Sequence, residues 1–392
     1  MLDNLSPQAP DALLALIKLF AADDRADKID LGVGVYRTDD GATPVLRAIK
    51  QAEQALVETQ TSKSYLGPEG DMGFVHALMP YVFGSDANMG GRIEGLQTPG
   101  GTGACRLAFA LAQKAGVKRV LMGVPSWPNH AQILADLGLE VVSFPHARAD
   151  GGADIDALLG ALAAAGEGDG VLIHGCCHNP TGVDYAEADW AAIAQALASS
   201  PVLPIVDFAY HGLGHGLEQD AAGMRALLAA VPEALVAYSC DKNFGVYRDR
   251  VGAFYVKSDF TDRLPVAMSN AASLARANWS MPPDHGGAAV RVILNDPAMT
   301  QEWLAELDEM RARLRWVRER LAAADNQVPG LDLAPHAAQS GMFAMLALDK
   351  DQIALLRDRH AVYMAGSGRI NIAGLTAGNI DKFIAALADV TR

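Results

Sequence analysis

A lysine partly withdrawn from water loses its proton more readily and becomes a usable nucleophile. Lys242 has such a setting: it follows the run Leu235-Val236-Ala237-Tyr238 and sits among Ser239, Asn243 and Gly245. A solvated surface lysine would fit the same string, so the reading depends on what else the chain offers. Asp207 ends the apolar run Leu203-Pro204-Ile205-Val206, where an acid beside a buried ligand can keep a basic ring nitrogen protonated; a helix cap or turn is the competing reading. Thr98-Pro99-Gly100-Gly101-Thr102-Gly103 opens the helical run ACRLAFALAQKA. That places bare backbone N–H groups and a hydroxyl at the positive end of a helix, which suits a phosphate. Ser239 and Arg250 flank the lysine at spacings that would add a hydroxyl and a guanidinium fork to the same anion.

An imine lysine, an acid for a pyridine nitrogen and a phosphate cradle are the three parts that pyridoxal 5'-phosphate requires. The elements that would position them alternate. Between about residues 45 and 300, helical stretches separate strand-like runs: VLMGVP near 120, VVSFP near 141, VLIHGC near 171, PIVDFAY near 204, LVAYSC near 235 and VGAFYV near 251. This is an α/β pattern, and in such sheets ligands sit beyond the carboxyl ends of the strands, where Asp207 and Lys242 fall. The run DALLALIKLF predicts a short amphipathic helix over 11–20 with Asp11 as its cap. Leu31 to Arg37 alternates small and apolar residues, an extended passage. Residues 157–165 read as a surface helix. After about residue 300 comes a long charged amphipathic helix, then strand candidates at 341–346 and 368–372.

The chain has 392 residues with a formal charge of −14. This predicts two domains and disfavours nucleic acid and anionic membranes as partners. No apolar run approaches the roughly 20 residues of a membrane helix. The start Met1-Leu2-Asp3-Asn4 carries no basic region followed by an apolar stretch, so the cytoplasm is the expected compartment. Cys105, Cys176, Cys177 and Cys240 lack CxxC spacing and read as reduced thiols. His215, His285, His336 and His360 lack metal-ligand spacing, so no metal site is expected.

Taken together, SCDKNFGVYRDRVGAF, VDFAYHGLGHG, HGCCHNPTGVD, TPGGTGA, PSWPNH, SYLGPEG and GRINIAGL resemble the class I aminotransferases, in their aspartate and aromatic amino acid branch, from about residue 5 onward. The resemblance implies a fold-type I pyridoxal-phosphate transferase: a large domain with a mainly parallel seven-stranded sheet over 41–300, a small α+β domain over 301–392, and residues 1–40 as an N-terminal arm and part of the small domain. It implies that Lys242 forms the imine and shuttles the proton. Asp207 would pair with the pyridinium nitrogen, with His130 orienting it. Tyr210 and Asn179 would bond the ring oxygen, and Trp127 would stack on the ring. Gly101, Thr102, Ser239 and Arg250 would hold the phosphate, with Tyr65 reaching it from a second subunit of a homodimer. Arg369, assisted by Gly34 and Asn179, would clamp the substrate α-carboxylate, and Arg276 would cross the dimer to a distal carboxylate. His174 and His178 are read as support near the site.

Substrate preference is divided. Thr43 and Thr102 match an aspartate-preferring pattern, whereas Ser64 and Met281 stand where that pattern has asparagine and make the pocket less polar. The reading favours a ping-pong enzyme for both aromatic and dicarboxylic amino acids, with 2-oxo acids such as 2-oxoglutarate as acceptors. A strict aspartate enzyme, or a lyase or decarboxylase on the same fold, is the alternative. Asp241 departs from the family's small hydroxyl residue, and a carboxylate there could repel the phosphate or perturb the imine.

Overall fold

The computed structural model describes residues 2–7, 12–86 and 88–392. Asp11, the expected cap of the first helix, lies outside the described residues; the helix itself spans Ala12–Ala22. The chain divides into two compact units, one of Pro44–Arg313 with Gln339–Gly341, the other of Met1–Thr43, Leu314–Ala338 and Met342–Arg392. The helix Pro297–Ala323 contains the boundary between them.

The larger unit is built on one seven-stranded sheet. Its strands lie in the spatial order Ile93–Pro99, Val251–Ser258, Glu233–Ser239, Leu203–Phe208, Asp169–His174, Arg119–Val124 and Glu140–Pro145. Val251–Ser258 runs antiparallel to both of its neighbours and every other pairing is parallel, so the sheet is mainly parallel as expected. Helices on both faces leave the central strands no solvent side, which is why they read as continuous apolar runs; all eight residues of Val251–Ser258 are buried. The helix Gly100–Lys114 seats Leu107, Phe109 and Leu111 in one core cluster with Val120, Ala237 and Phe254 of the sheet. Each such side chain contributes about 1.5–3 kcal/mol on burial.

Six of the strands occupy the expected runs. The seventh, Ile93–Pro99, was not among them because IEGLQTP carries no apolar run; it forms through a seven-residue antiparallel register with Val251–Ser258. Gly95 makes that pairing fit, since a Cβ there would stand 2.3 Å from the Tyr255 ring. The glycine-rich segment opens a helix as expected, and Gly100 to Gly103 form its first turn. The alanine-rich stretch is a helix, Ile155–Ala163, capped by Asp154, which accepts from the Ala157 amide at 3.0 Å.

The smaller unit has two two-stranded sheets. Ile29–Asp30 pairs in parallel with Val362–Tyr363, and Phe343–Met345 antiparallel with Arg369–Asn371. Its helix Lys350–His360 starts in a capping box: the Asp349 carboxylate accepts from the Gln352 amide at 2.8 Å, and the Gln352 side chain accepts from the Asp349 amide. Such a cap is worth about 1 kcal/mol. All four cysteines are buried and reduced. No helix among the described residues is long and apolar enough to cross a membrane.

Candidate active site

At the carboxyl edge of the sheet, register aligns residues from separate strands. His174 pairs with Asp207, Asp207 with Ala237, and Ser239 with Gly252. Asp207 is 5% exposed. Its Oδ2 lies 2.9 Å from Nε2 of the buried His130, whose Nδ1 lies 3.0 Å from the Ser126 hydroxyl. Burial pushes the Asp207 carboxyl up, but the His130 hydrogen bond and the nearby positive charges, Lys242 included, outweigh it and leave its pKa below the usual range. The acid therefore stays ionised inside the fold.

Lys242 follows the strand Glu233–Ser239, with Nζ 5.2 Å from the centroid of the Tyr210 ring. Burial lowers its pKa, against the pull of Asp241 and Asp207 in the other direction. The backbone around it is pinned from behind: Trp303 donates its indole N–H to the Asn243 carbonyl at 2.8 Å and stacks on Phe244 with centroids 4.3 Å apart. Asn179 Nδ2 donates to the Tyr210 hydroxyl at 3.4 Å, and its Oδ1 is buried with no hydrogen-bond partner. The loop carrying Asn179 is held by Asp184, whose two oxygens accept from the Cys177 and His178 amides at 2.8 Å. Trp127 is half-buried, edge-on to His130.

The glycine turn closes on the same residues. A Cβ on Gly101 would stand 2.8 Å from Ser239 Cβ, and one on Gly100 would stand 2.5 Å from Arg250 Nη2. Thr102 is half-buried beside them in sequence. Arg250 Nη1 donates to Asp241 Oδ2 at 2.5 Å and to the Tyr247 carbonyl at 3.0 Å. Asp241 does not point away: it turns its carboxylate onto the arginine expected to serve the phosphate.

Behind Asp207 a row of histidines was only partly foreseen. The rings of His130 and His174 lie 5.2 Å apart, those of His174 and His178 4.2 Å, and His146 stacks on His178 at 3.4 Å. His146 follows the strand-like run that ends at Pro145, and neither it nor Ser126 nor Asp184 is among the residues that the sequence singles out. Ser126 and Asp184 do lie within the quoted motifs, which was the available signal.

Tyr65 is 91% exposed, and Ser64, Thr43 and Arg276 are also exposed. Arg276, in the last turn of the helix Leu264–Asn278, donates to the Ser280 hydroxyl. Met281 Sδ accepts from the Leu66 amide at 3.1 Å. In the smaller unit, Arg369 donates to the Gly32 carbonyl at 2.9 Å with its guanidinium 4.7 Å from the Phe343 ring centroid, and a Cβ on Gly34 would stand 2.8 Å from that same ring. Asn371 ties the loop beside them by donating to the Val33 and Val35 carbonyls at 2.6 and 2.7 Å.

Residues 26–387 match the profile of the family Aminotransferase class I and II. The chain belongs to that family. It is 49% identical to a tyrosine aminotransferase of Rhizobium meliloti strain 1021, over 96% of each chain, and 41% identical to an aspartate aminotransferase of Salmonella typhi over 100% of each. A crystal structure of an aromatic-amino-acid aminotransferase from Burkholderia pseudomallei, covalently bound to pyridoxal phosphate, superposes with a TM-score of 0.96 at 35% identity over 100% of both chains. The protein is thus a fold-type I aminotransferase, and pyridoxal 5'-phosphate is its cofactor.

Proposed function

We propose that this aminotransferase moves amino groups from aromatic and dicarboxylic L-amino acids to 2-oxo acids such as 2-oxoglutarate, by ping-pong kinetics, as a cytoplasmic homodimer. The observation that carries the chemistry is the ionised, buried Asp207 held by His130 at 2.9 Å in the same edge of the sheet as Lys242.

The residues present fit the cofactor. Gly100 and Gly101 leave backbone open where a Cβ would strike Arg250 and Ser239, as a phosphate cradle requires, so Gly101, Thr102, Ser239 and Arg250 would hold the phosphate. The orphaned Asn179 Oδ1 and the Tyr210 hydroxyl offer polar atoms for the ring oxygen and a substrate carboxylate, and Trp127 offers a face for the ring. When bound, pyridoxal phosphate supplies a protonated ring that withdraws electrons from the substrate α-carbon. Asp207 keeps the ring nitrogen protonated. The Lys242 amine, its pKa lowered by burial, removes the α-proton and returns it to the product side. Arg369, with Gly34, grips the α-carboxylate through a bidentate fork.

For substrate scope, the relatives named above are called a tyrosine and an aspartate aminotransferase. Ser64 and Met281 make the distal pocket less polar, while Arg276 offers a guanidinium to a second carboxylate. Tyr65 and Arg276 stand in solvent on the single chain, which suits residues that complete the site of a partner subunit.

The test is the absorbance of the holoenzyme before and after separate additions of aspartate and phenylalanine. Both amino acids should convert the cofactor's aldehyde-form band to its amine-form band, and 2-oxoglutarate should reverse the change. Response to aspartate alone would make the enzyme a strict aspartate aminotransferase. Light scattering of the same sample should give twice the mass of the 41.3 kDa chain.

A further inference from the structure

We propose that Asp241 is itself part of the cofactor's phosphate site, and that it meets the phosphate as a carboxylic acid after taking up one proton from solvent. The proposal rests on the assignment of Gly101, Thr102, Ser239 and Arg250 to that phosphate. Asp241 meets the cradle at Arg250, at Ser239 and beside Gly100. Its Oδ2 lies 2.5 Å from Arg250 Nη1 and 2.9 Å from the point where a Cβ on Gly100 would stand, Oδ1 accepts from the Val251 amide at 3.0 Å, and its own amide donates to the Ser239 hydroxyl at 3.3 Å. The Asp241 side chain is 2% exposed.

Charge makes the arrangement unstable toward a phosphate. With Asp241 ionised, Arg250 is already neutralised, and a dianion entering beside them would meet a carboxylate in a site that water scarcely screens. With Asp241 protonated, the repulsion vanishes, the whole guanidinium charge is available, and the acid gains an O–H to donate. The groups facing Asp241 are Arg250 from the segment before the strand Val251–Ser258, Lys242 and the neutral Cys240 thiol from its own segment, Ser239 from the preceding strand, and the Gly100 backbone at the helix start. Burial already raises the carboxyl's pKa, against Lys242 and Arg250, and an arriving dianion raises it further.

Below the carboxyl's pKa in the empty site, Asp241 is already protonated and costs the ligand nothing. Between that value and the higher pKa of the occupied site, each binding event takes up a proton and Kd rises by about tenfold per pH unit.

Titration calorimetry of the full chain, freed of cofactor, with pyridoxamine phosphate tests this. That ligand has no aldehyde, so the lysine linkage does not enter. Between pH 7 and 9 its phosphate is the dianion, the second phosphate pKa being about 6. Two buffers of different ionisation heat count the protons. The wild-type chain should bind more weakly as pH rises, taking up about one proton more per binding event than either variant below. Asp241→Asn and Asp241→Ser should bind more tightly at pH 9 and lose that part of the slope; the remainder belongs to Lys242 and to the ligand's own amine and ring nitrogen. An identical slope in wild type and both variants, or an identical proton count, overturns the proposal. Absence of any binding to the wild type overturns the phosphate-site assignment, and this proposal with it. Two variants are used so that, where one does not fold, the other carries the comparison.

Discussion

Burial raises the free energy of a carboxylate, yet Asp207 stays ionised because His130 bonds to it and Lys242 lies near. That polarity is what a protonated pyridine needs beside it. Asp207→Asn keeps the shape and removes the charge, so turnover should fall on the order of 10²-fold or more, while bound cofactor should still be detectable by absorbance. Near-normal turnover would show that the ring's protonation does not depend on this acid. Lys242, Asp207 and the glycine turn were legible as separate candidates because each obeys a local rule: an amine after a strand, an acid at a strand end, bare amides at a helix start. The His146–His178 stack and the reach of Asp184 to the Cys177 and His178 amides were not, because they join residues through contacts that no spacing rule encodes.

Elements bring these residues within reach, and their tolerances are narrow. Gly100 has φ +70, and a Cβ there would stand 2.5 Å from Arg250 Nη2 and 2.9 Å from Asp241 Oδ2. Gly100→Ala should therefore cost about 1–2 kcal/mol of backbone strain and push Arg250 aside. Dialysis of the variant should strip cofactor that the wild-type chain retains. On the far side of the lysine, Trp303 is 1% exposed and braces Asn243 and Phe244. Trp303→Ala should lose about 3–5 kcal/mol of stability, read as a lower urea midpoint, with KM for cofactor rising as the Lys242 segment loosens. Six strands of the sheet could be read from apolar runs because a strand buried on both faces has nowhere to put polar residues. Ile93–Pro99 escaped because partners distant in sequence, not its own residues, determine its state.

Across the molecule, burial lowers the pKa of four histidines: His146, His178, His174 to about 3 and His211 to about 4. Each is neutral when folded and binds a proton when the chain unfolds below about pH 6.5. Their contribution to stability is complete above that pH and is lost as pH falls toward the folded values, at about 1.4 kcal/mol per pH unit for each histidine. The thermal midpoint should drop steeply between pH 6.5 and 5, and less steeply in His174→Asn with His178→Asn; a flat profile would contradict the burial. Chain length and the change of pattern near residue 300 suggest two parts divided there, whereas the larger unit runs on to Arg313, inside the helix Pro297–Ala323, and the return of residues 339–341 to it carries no local sign.

The four buried cysteines have a practical consequence. Burial drives the thiol pKa values of Cys105, Cys176 and Cys240 well above the range where a thiolate exists at neutral pH, and the thiolate is the nucleophile that attacks alkylating reagents. A brief pulse of maleimide should leave the intact chain unmarked and add four adducts to any molecule that has opened. Mass spectrometry of such pulses would count unfolded molecules in a crude lysate, with no label installed and no purification.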